Sequence, residues 1–508
     1  MTESQSEAIA FLSQPLSYGS SAGESVERIE THASIVFLIG QLALKLKRSV
    51  RFAYLDYSTV ELRRRCCEAE LRLNRRTAPD LYRRVRAITR EADGTLTFDG
   101  RGEVLDWVIE MRRFDQASLF SSLAETRRLT RRLLEELVDH IIAFHRAAEP
   151  VFDFGGAAGV DEVVAINERS LREAGLPDCE ADELLRLTQR ALERCRVMLD
   201  RRRTEGRVRR CHGDLHLGNI CLHDGRPVLF DGIEFSESLA CIDTLYDLAF
   251  LVMDLCHRGL TGDANLLFNR YLDMSEERDG IAAFPLFLSL RAAVRAHVVA
   301  AAASAAPKSS RSAMLEKASS YLHFALELLR PNPPLLVAIG GLSGSGKSTL
   351  AAALAPRLGA RPGARVLRSD VIRKRRVGKA PSERLPPDCY TEEANAAVYA
   401  EMRTRAGEAL AAEYSVVLDA VAAHASERDS FEELARSSGV PFVGIWLRAP
   451  ADVLERRLIE RAGDASDATP DVLRRQLEYA LSPMRWAIID AAGGLEETLR
   501  KVTAAVAG

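Results

Sequence analysis

The run Gly341-Leu342-Ser343-Gly344-Ser345-Gly346-Lys347-Ser348 sets glycines, a lysine and a serine at the spacing of a phosphate-binding loop. Its flanks suit that chemistry. Leu335 to Ile339 is an apolar run with the length of a buried strand, and the Ala/Leu-rich stretch Thr349 to Leu358 predicts a helix. A loop between strand and helix can turn its N–H groups inward around phosphate oxygens, with the positive end of the helix dipole behind them. Gly341, Ser343, Gly344, Ser345, Gly346, Lys347, Ser348 and Thr349 are therefore the expected contacts of ATP, with Lys347 at the outer phosphates and the Ser348 hydroxyl on Mg²⁺.

A second constellation lies upstream. His212-Gly213-Asp214-Leu215-His216-Leu217-Gly218-Asn219 precedes two short apolar runs joined by Asp224-Gly225, the signature of a hairpin. With Asp224 and Gly225 central in the turn, Asn219 faces Phe230 and lies beside Asp231, so two oxygen ligands meet at the hairpin's open end. Asp214 stands five residues before Asn219, the spacing of a kinase catalytic loop. In that loop the Asp takes the acceptor's hydroxyl proton, while the Asn and a later Asp-Gly hold Mg²⁺. Asp214 is thus the expected base, and Asn219 and Asp231 are the expected metal ligands. His212 and His216 would suit zinc only on a helix, which the two glycines oppose.

Other elements must bring a cation and its carboxylate partner to this loop. Ile35 to Lys47 reads as strand, turn at Gly40, strand, and the period of two puts Lys45 and Lys47 on one face. The tetrad Leu42-Ala43-Leu44-Lys45 matches the kinase strand whose lysine pairs the α/β-phosphates, which selects Lys45. Ser58 to Arg76 predicts a helix opened by a Ser58-x-x-Glu61 capping box. On it Leu62, Cys66, Ala69 and Leu73 form an apolar stripe bordered by Glu70, while Glu68 points away, so Glu70 is the expected partner of Lys45. Leu105 to Met111 precedes Arg112-Arg113-Phe114, where a kinase places its interlobe hinge; Met111 is the expected backbone contact of adenine. Helices are expected from about Ser122 to Leu329 apart from the hairpin, and the arginines between Arg63 and Arg90 read as a solvated face.

The motifs HGDLHLGN, VLFDGIEF and IDTLYDLAFLVMDL together resemble the aminoglycoside phosphotransferase-like family, small-molecule kinases with a bilobal protein-kinase fold. The resemblance covers residues 1 to about 330, agrees on Glu70 through CCEAELRLNRR, and implies that Asp247 braces the catalytic segment. One departure is Ala240, where relatives often carry an arginine. From about 334 to the end the chain resembles AAA-type P-loop kinases, the group of gluconate kinase, zeta-type toxins and phage polynucleotide kinase. The order of the two halves is similar to that of bifunctional aminoglycoside phosphotransferase/ATP-binding proteins.

This second resemblance gives roles to residues beyond the loop. Arg368-Ser369-Asp370-Val371-Ile372-Arg373 follows a strand and should sit at the sheet's carboxyl edge. The resemblance makes Asp370 the general base on an acceptor hydroxyl and Arg373 a contact of the acceptor or its phosphate. Asp419, directly after a buried-strand pattern, is expected to support Mg²⁺ or to position the acceptor. Arg457 and Arg461, a turn apart, resemble lid arginines that stabilise the transferring phosphoryl group. Ser466-Asp467-Ala468 also matches the group, with no role assigned.

A length of 508 residues suits about three domains, and 47% apolar with 28% charged residues describes a globular protein. A net charge of -3 carries no overall nucleic-acid footprint. Nine unpatterned cysteines suggest reduced thiols in a cytoplasm, and the first residues lack the pattern of a secretory signal. No segment is expected to span a bilayer, since acids, Arg295 and His297 interrupt the apolar runs. The expected architecture is an α+β bilobal protein-kinase-like domain (1–330; lobes about 30–112 and 113–330), a Pro-rich linker (331–334) and an α/β P-loop kinase domain with a parallel sheet (335–508). Its expected partners are ATP, Mg²⁺ and small hydroxylated molecules at two sites. Two alternatives stand beside this reading: a nucleic-acid 5′-hydroxyl kinase in the C-terminal half, or one half acting as a nucleotide-gated regulatory or toxin-like module. The oligomeric state is left open.

Overall fold

Alternation along Leu42–Lys47 decides what the N-terminal sheet does with its lysines. Leu44 and Leu46 join Ile35, Phe37, Ile88 and Val108 in a cluster that also takes Ala8 and Leu12 of the helix Ser6–Leu12. Ala43 packs on the opposite side with Cys67, Tyr82, Ile109 and Met111. Lys45 and Lys47 share that side, turned toward the helix Val60–Asn74.

The computed structural model describes residues 5–19, 25–31, 33–52, 55–275, 277–380, 383–460, 466–478 and 484–507. Packing groups them into two units: Met1–Asp254 with Leu290–His323, and Leu255–Ser289 with Phe324–Gly508.

The first unit holds an antiparallel sheet of β1 (Glu27–Glu30), β2 (Ser34–Ile39), β3 (Leu42–Lys47), β4 (Tyr82–Arg90), β5 (Leu96–Phe98) and β6 (Glu103–Arg112), in the order β1-β2-β3-β6-β4-β5. Met111 is buried in β6 between Ala43 and Tyr82. The helix Val60–Asn74 starts two residues later than expected, because Thr59 rather than Ser58 caps it by accepting the Leu62 amide. Its buried face is also turned. Arg63, Cys67, Glu70, Leu73 and Asn74 are buried, so Glu70 lies within the face and not at its border. The predicted stripe was apolar; the real one includes two charges, each with a buried partner. Arg63 Nε donates to Asp106 at 2.8 Å.

Helices dominate the rest of this unit, interrupted by the expected hairpin of β7 (Ile220–His223) and β8 (Arg226–Leu229). Ile220 pairs with Leu229, and Asp224 and Gly225 sit at φ 48° and 78°, the left-handed pair of a tight hairpin turn. A short pairing of Val208–Arg210 with Cys241–Asp243 had no sequence signal. It is fixed by the fully buried Arg202, whose Nε and NH2 donate to Asp243 at 2.7 and 2.9 Å.

The second unit contains five parallel strands, β9 (Leu336–Gly341), β10 (Arg365–Arg368), β11 (Val416–Asp419), β12 (Phe442–Arg448) and β13 (Ala487–Asp490), in the order β10-β11-β9-β12-β13. All five lie on apolar runs that by themselves predict a parallel sheet: Leu335 to Ile339, Arg365 to Leu367, Ser415 to Leu418, Phe442 to Leu447 and Ala487 to Ile489. The helix after β9 is shorter than expected, Lys347–Leu354 followed by a 3-10 turn Ala355–Arg357. Packing also crosses the sequence boundary at 331–334. The helix Thr261–Ser275 belongs to this unit, where Asn269 Oδ1 accepts from Arg365 NH1 at 2.9 Å and from the Val366 amide at 2.8 Å, and Asp273 pairs with Arg365.

The expectation that no segment could span a bilayer needs correction. The stretch Asp279–Ser304 is long and apolar enough by length and composition, because Arg291 and Arg295 alone interrupt it. Of the 18 residues that make it so, 72% are buried inside the protein, as in a core helix.

Candidate functional site

In the first unit, β3 delivers Lys45 and Lys47 to the two oxygens of one carboxylate. Lys45 Nζ donates to Glu70 Oε1 at 2.8 Å and Lys47 Nζ to Glu70 Oε2 at 2.7 Å. Burial alone would raise the Glu70 carboxyl, but the two ammonium groups outweigh it and bring it down to about 2. Lys45 also reaches Asp231 Oδ1 at 2.5 Å, while Lys47 is fully buried between Glu70, Glu234 and the Tyr57 hydroxyl. Tyr57 in turn donates to Glu234 at 2.5 Å. The sequence selected Lys45; it missed that Lys47 and Glu234 complete the same cluster.

The catalytic-loop segment is held from beneath. Asp247, fully buried, accepts the amides of His212 and Gly213 at 3.2 and 2.8 Å and bonds His145 Nε2 at 3.0 Å. Asn219 Nδ2 donates to Asp214 Oδ2 at 2.8 Å and to the Asp214 carbonyl at 3.0 Å. That leaves the Asn219 side-chain oxygen, a hard ligand atom, unspent on Asp214. The Phe230 amide donates to the Asn219 carbonyl at 3.0 Å, which sets Asp231 next to Asn219 as the register required. Asp231 sits at φ 62°, a left-handed conformation rare outside glycine, with its amide on Tyr82 Oη at 3.2 Å and the Gly232 amide on Asn74 Oδ1 at 2.8 Å. Burial opposes ionisation of Asp214, yet His216, Arg295 and His212 outweigh it and hold the carboxyl well below the usual range. Such a carboxylate is ionised at neutral pH and can accept a proton.

In the second unit the loop after β9 turns at Gly344 and Gly346, φ 84° and 91°. A Cβ at Gly344 would lie 2.5 Å from the Leu454 carbonyl, so the backbone packs too closely for any other residue. Lys347 Nζ donates to the carbonyls of Gly341 and Leu342 at 2.8 and 3.0 Å, and the Ser343 amide to Gln476 at 2.8 Å. The Ser348 hydroxyl donates to Asp419 Oδ2 at 2.6 Å and accepts from Arg368 NH2 at 3.0 Å. Inside the loop, the buried Ser345 hydroxyl has no hydrogen-bond partner among the described residues.

A cleft of about 860 Å³ opens over this loop and brings together Lys347, Ser348, Asp370, Arg373, Asp419 and Arg457. Desolvation, with the charge of Asp419, raises the Asp370 carboxyl despite a bond from Ser466 and the nearby Arg368 and Lys347. Arg373 donates to the Cys389 carbonyl at 2.9 Å and to Asn395 Oδ1 at 2.7 Å, 4.8 Å from the Tyr390 ring centroid. Arg457 NH2 donates to the carbonyls of Ala492 and Gly493 at 3.2 and 3.0 Å. Arg461 lies outside the described residues. Asp467, left without a role by the sequence, fastens the wall: Lys374 Nζ, the Leu385 amide and Tyr390 Oη donate to it at 2.9, 3.0 and 2.8 Å.

Residues 68–284 match the sequence model of the phosphotransferase enzyme family, and residues 336–483 match that of an AAA domain. The chain thus joins a stretch similar to the phosphotransferase enzyme family to one similar to AAA domains. By class, the protein is an ATP-dependent kinase. Uncharacterized proteins of Mycobacterium tuberculosis and Mycobacterium bovis are 28% identical over 454 residues, spanning 87% of this chain and 88% of theirs, so the tandem is shared as a whole. Among solved structures, a choline/ethanolamine kinase family protein from Mesorhizobium loti is 15% identical and aligns with 64% of this chain and 99% of its own, at a TM-score of 0.38. A gluconokinase from Sinorhizobium meliloti is 27% identical over 35% of this chain and 94% of its own, at a TM-score of 0.26. The first unit thus presents Lys45 and Lys47 on buried carboxylates, and the second a cleft lined by Lys347, Asp370 and Asp419, each assembled from elements of its own unit.

Proposed function

We propose that the protein transfers the γ-phosphate of ATP to hydroxyl groups of small molecules at two separate sites. What carries this reading is that each half sets a phosphate-directed lysine in the same site as a carboxylate suited to an acceptor's proton: Lys45 with Asp214, and Lys347 with Asp370. In the phosphotransferase domain the Asn219 side-chain oxygen and Asp231 fit Mg²⁺, being hard oxygen donors side by side. In the P-loop domain the Ser348 hydroxyl and Asp419 fit it equally, and the unpartnered Ser345 hydroxyl lines the phosphate cradle. When bound, the metal would supply neutralisation of the phosphates' negative charge. Asp214 and Asp370 take the acceptor's proton, Arg373 orients the acceptor, and Arg457 and Arg461 stabilise the moving phosphoryl group.

The walls of the P-loop cleft support a small acceptor over a nucleic-acid end. They mix Asp370, Glu427 and Asp467 with Arg373, Arg475, Tyr390 and Tyr399, whereas a strand of phosphodiesters calls for a continuous basic groove. Retention of both residue sets likewise supports two working sites over a regulatory half.

Titration with ATP and Mg²⁺ tests the reading. Two equivalents are expected, one lost in Lys45→Ala and the other in Lys347→Ala. A single equivalent indifferent to Lys45→Ala removes the first site. Asp214→Ala and Asp370→Ala should each keep nucleotide binding while losing about 10²-fold or more in transfer at their own site, as loss of a general base does.

A further inference from the structure

One face of the helix Phe284–Ala305 carries two arginines with donors to spare. Arg291 and Arg295 stand one turn apart and share that face. Arg291 is 5% exposed; its Nε donates to the Tyr246 carbonyl at 3.2 Å, and its guanidinium lies 3.8 and 4.8 Å from the ring centroids of Tyr246 and Phe250. Its buried NH2 group has no hydrogen-bond partner among the described residues. Phe250 meets the His216 ring edge-on at 5.3 Å, and His216 Nε2 lies 3.5 Å from Asp214 Oδ2, so this face leads to the acceptor side of the catalytic loop. Arg295 is half-buried, 5.9 Å from the Tyr321 ring centroid, and among the described residues it makes no hydrogen bond or ion pair. Its charge is nonetheless felt at Asp214, as that of Arg291 is at Asp247.

Half-buried guanidinium groups normally find an anion, because desolvation without a partner is costly. The carboxylates nearby are committed elsewhere: Asp247 to the His212 and Gly213 amides and to His145, Asp254 to the Leu217 amide, and Asp214 to Asn219 and the proton it must receive. A cationic acceptor would meet Arg295 there, with these three carboxylates already engaged. Resting on the reading of Asp214 as the acceptor's base, we propose that the acceptor of the phosphotransferase domain carries an anionic group, carboxylate or phosphate, beside its hydroxyl, received by Arg295 with Arg291 behind it. Arg295 would then be a specificity residue and not only a neighbour that keeps Asp214 ionised. A purely electrostatic role would shift the pH profile of turnover and leave charge selectivity alone.

The test uses the full chain with Lys347→Ala and Asp370→Ala to silence the P-loop site, saturated with ADP and Mg²⁺. Titration calorimetry compares D-gluconate, D-glucitol and D-glucamine, six-carbon polyols that differ at one end by a negative, neutral or positive group. Gluconate should bind at least about tenfold more tightly than glucamine; Arg295→Ala should abolish most of that preference and Arg295→Lys should keep a good part of it. Equal or tighter binding of glucamine, no discrimination by charge, failure of gluconate to bind, or an unchanged preference in Arg295→Ala overturns the proposal. Loss of ADP binding in Lys45→Ala is read in the same cell, so a failure of the underlying site assignment is seen separately.

Discussion

Two aspartates assigned the same task sit in opposite electrostatic settings. Asp214 is surrounded by His216, Arg295 and His212 and is held low, while Asp370 is raised by desolvation and by Asp419. A general base works only when deprotonated, so as pH falls the group with the raised pKa loses its base form first. The acid limb of kcat/KM should therefore lie at higher pH for the P-loop site, measured in Asp214→Ala, than for the phosphotransferase site, measured in Lys347→Ala. Superimposed acid limbs, or the reverse order, would remove the case for these two residues as the proton acceptors.

At the scale of elements, β3 and the helix Val60–Asn74 are tied through charge. Lys47 is 1% exposed and satisfies Glu70 and Glu234 together. Lys47→Met keeps the apolar stem but strands two buried carboxylate oxygens, and breaking a buried pair of this kind costs about 3–5 kcal/mol. Hydrogen exchange over residues 42–74 during urea unfolding should register that loss. Adding Glu234→Gln should recover a substantial part, since it removes one stranded charge. If Lys47→Met unfolds like the parent protein, the cluster has no structural weight.

At the scale of the whole molecule, the prolines at 331–334 mark where the helix before them ends, but they do not mark where packing divides. The P-loop unit includes Leu255–Ser289, and Arg365 at the start of β10 is anchored by Asn269 and Asp273 from that segment. The same strand ends at Arg368, which touches Ser348 and precedes Asp370. A fragment beginning at Pro331 lacks those anchors and exposes the Tyr414 ring, which stacks on Phe268 at 5.7 Å. It should unfold at lower denaturant than the same unit in the full chain and bind ATP more weakly, as circular dichroism and calorimetry can measure. A fragment that matches the full chain in both would show that the segment is only a passenger.

The phosphate loop, the hairpin register that joins Asn219 to Asp231, and the five parallel strands were all legible in the sequence. They rest on turn chemistry, periodicity and spacing, which act between residues close along the chain. Only the tertiary structure decided which face of Val60–Asn74 is buried, what Asp467 does, and that Lys47 belongs with the site. Each of those outcomes depends on a charged group whose burial is tolerable only when its partner arrives, and the partner of Lys47, Glu234, stands 187 residues away. Local pattern ranks a lysine or an arginine as solvated by default. Distant carboxylates, brought in by the fold, reverse that ranking here.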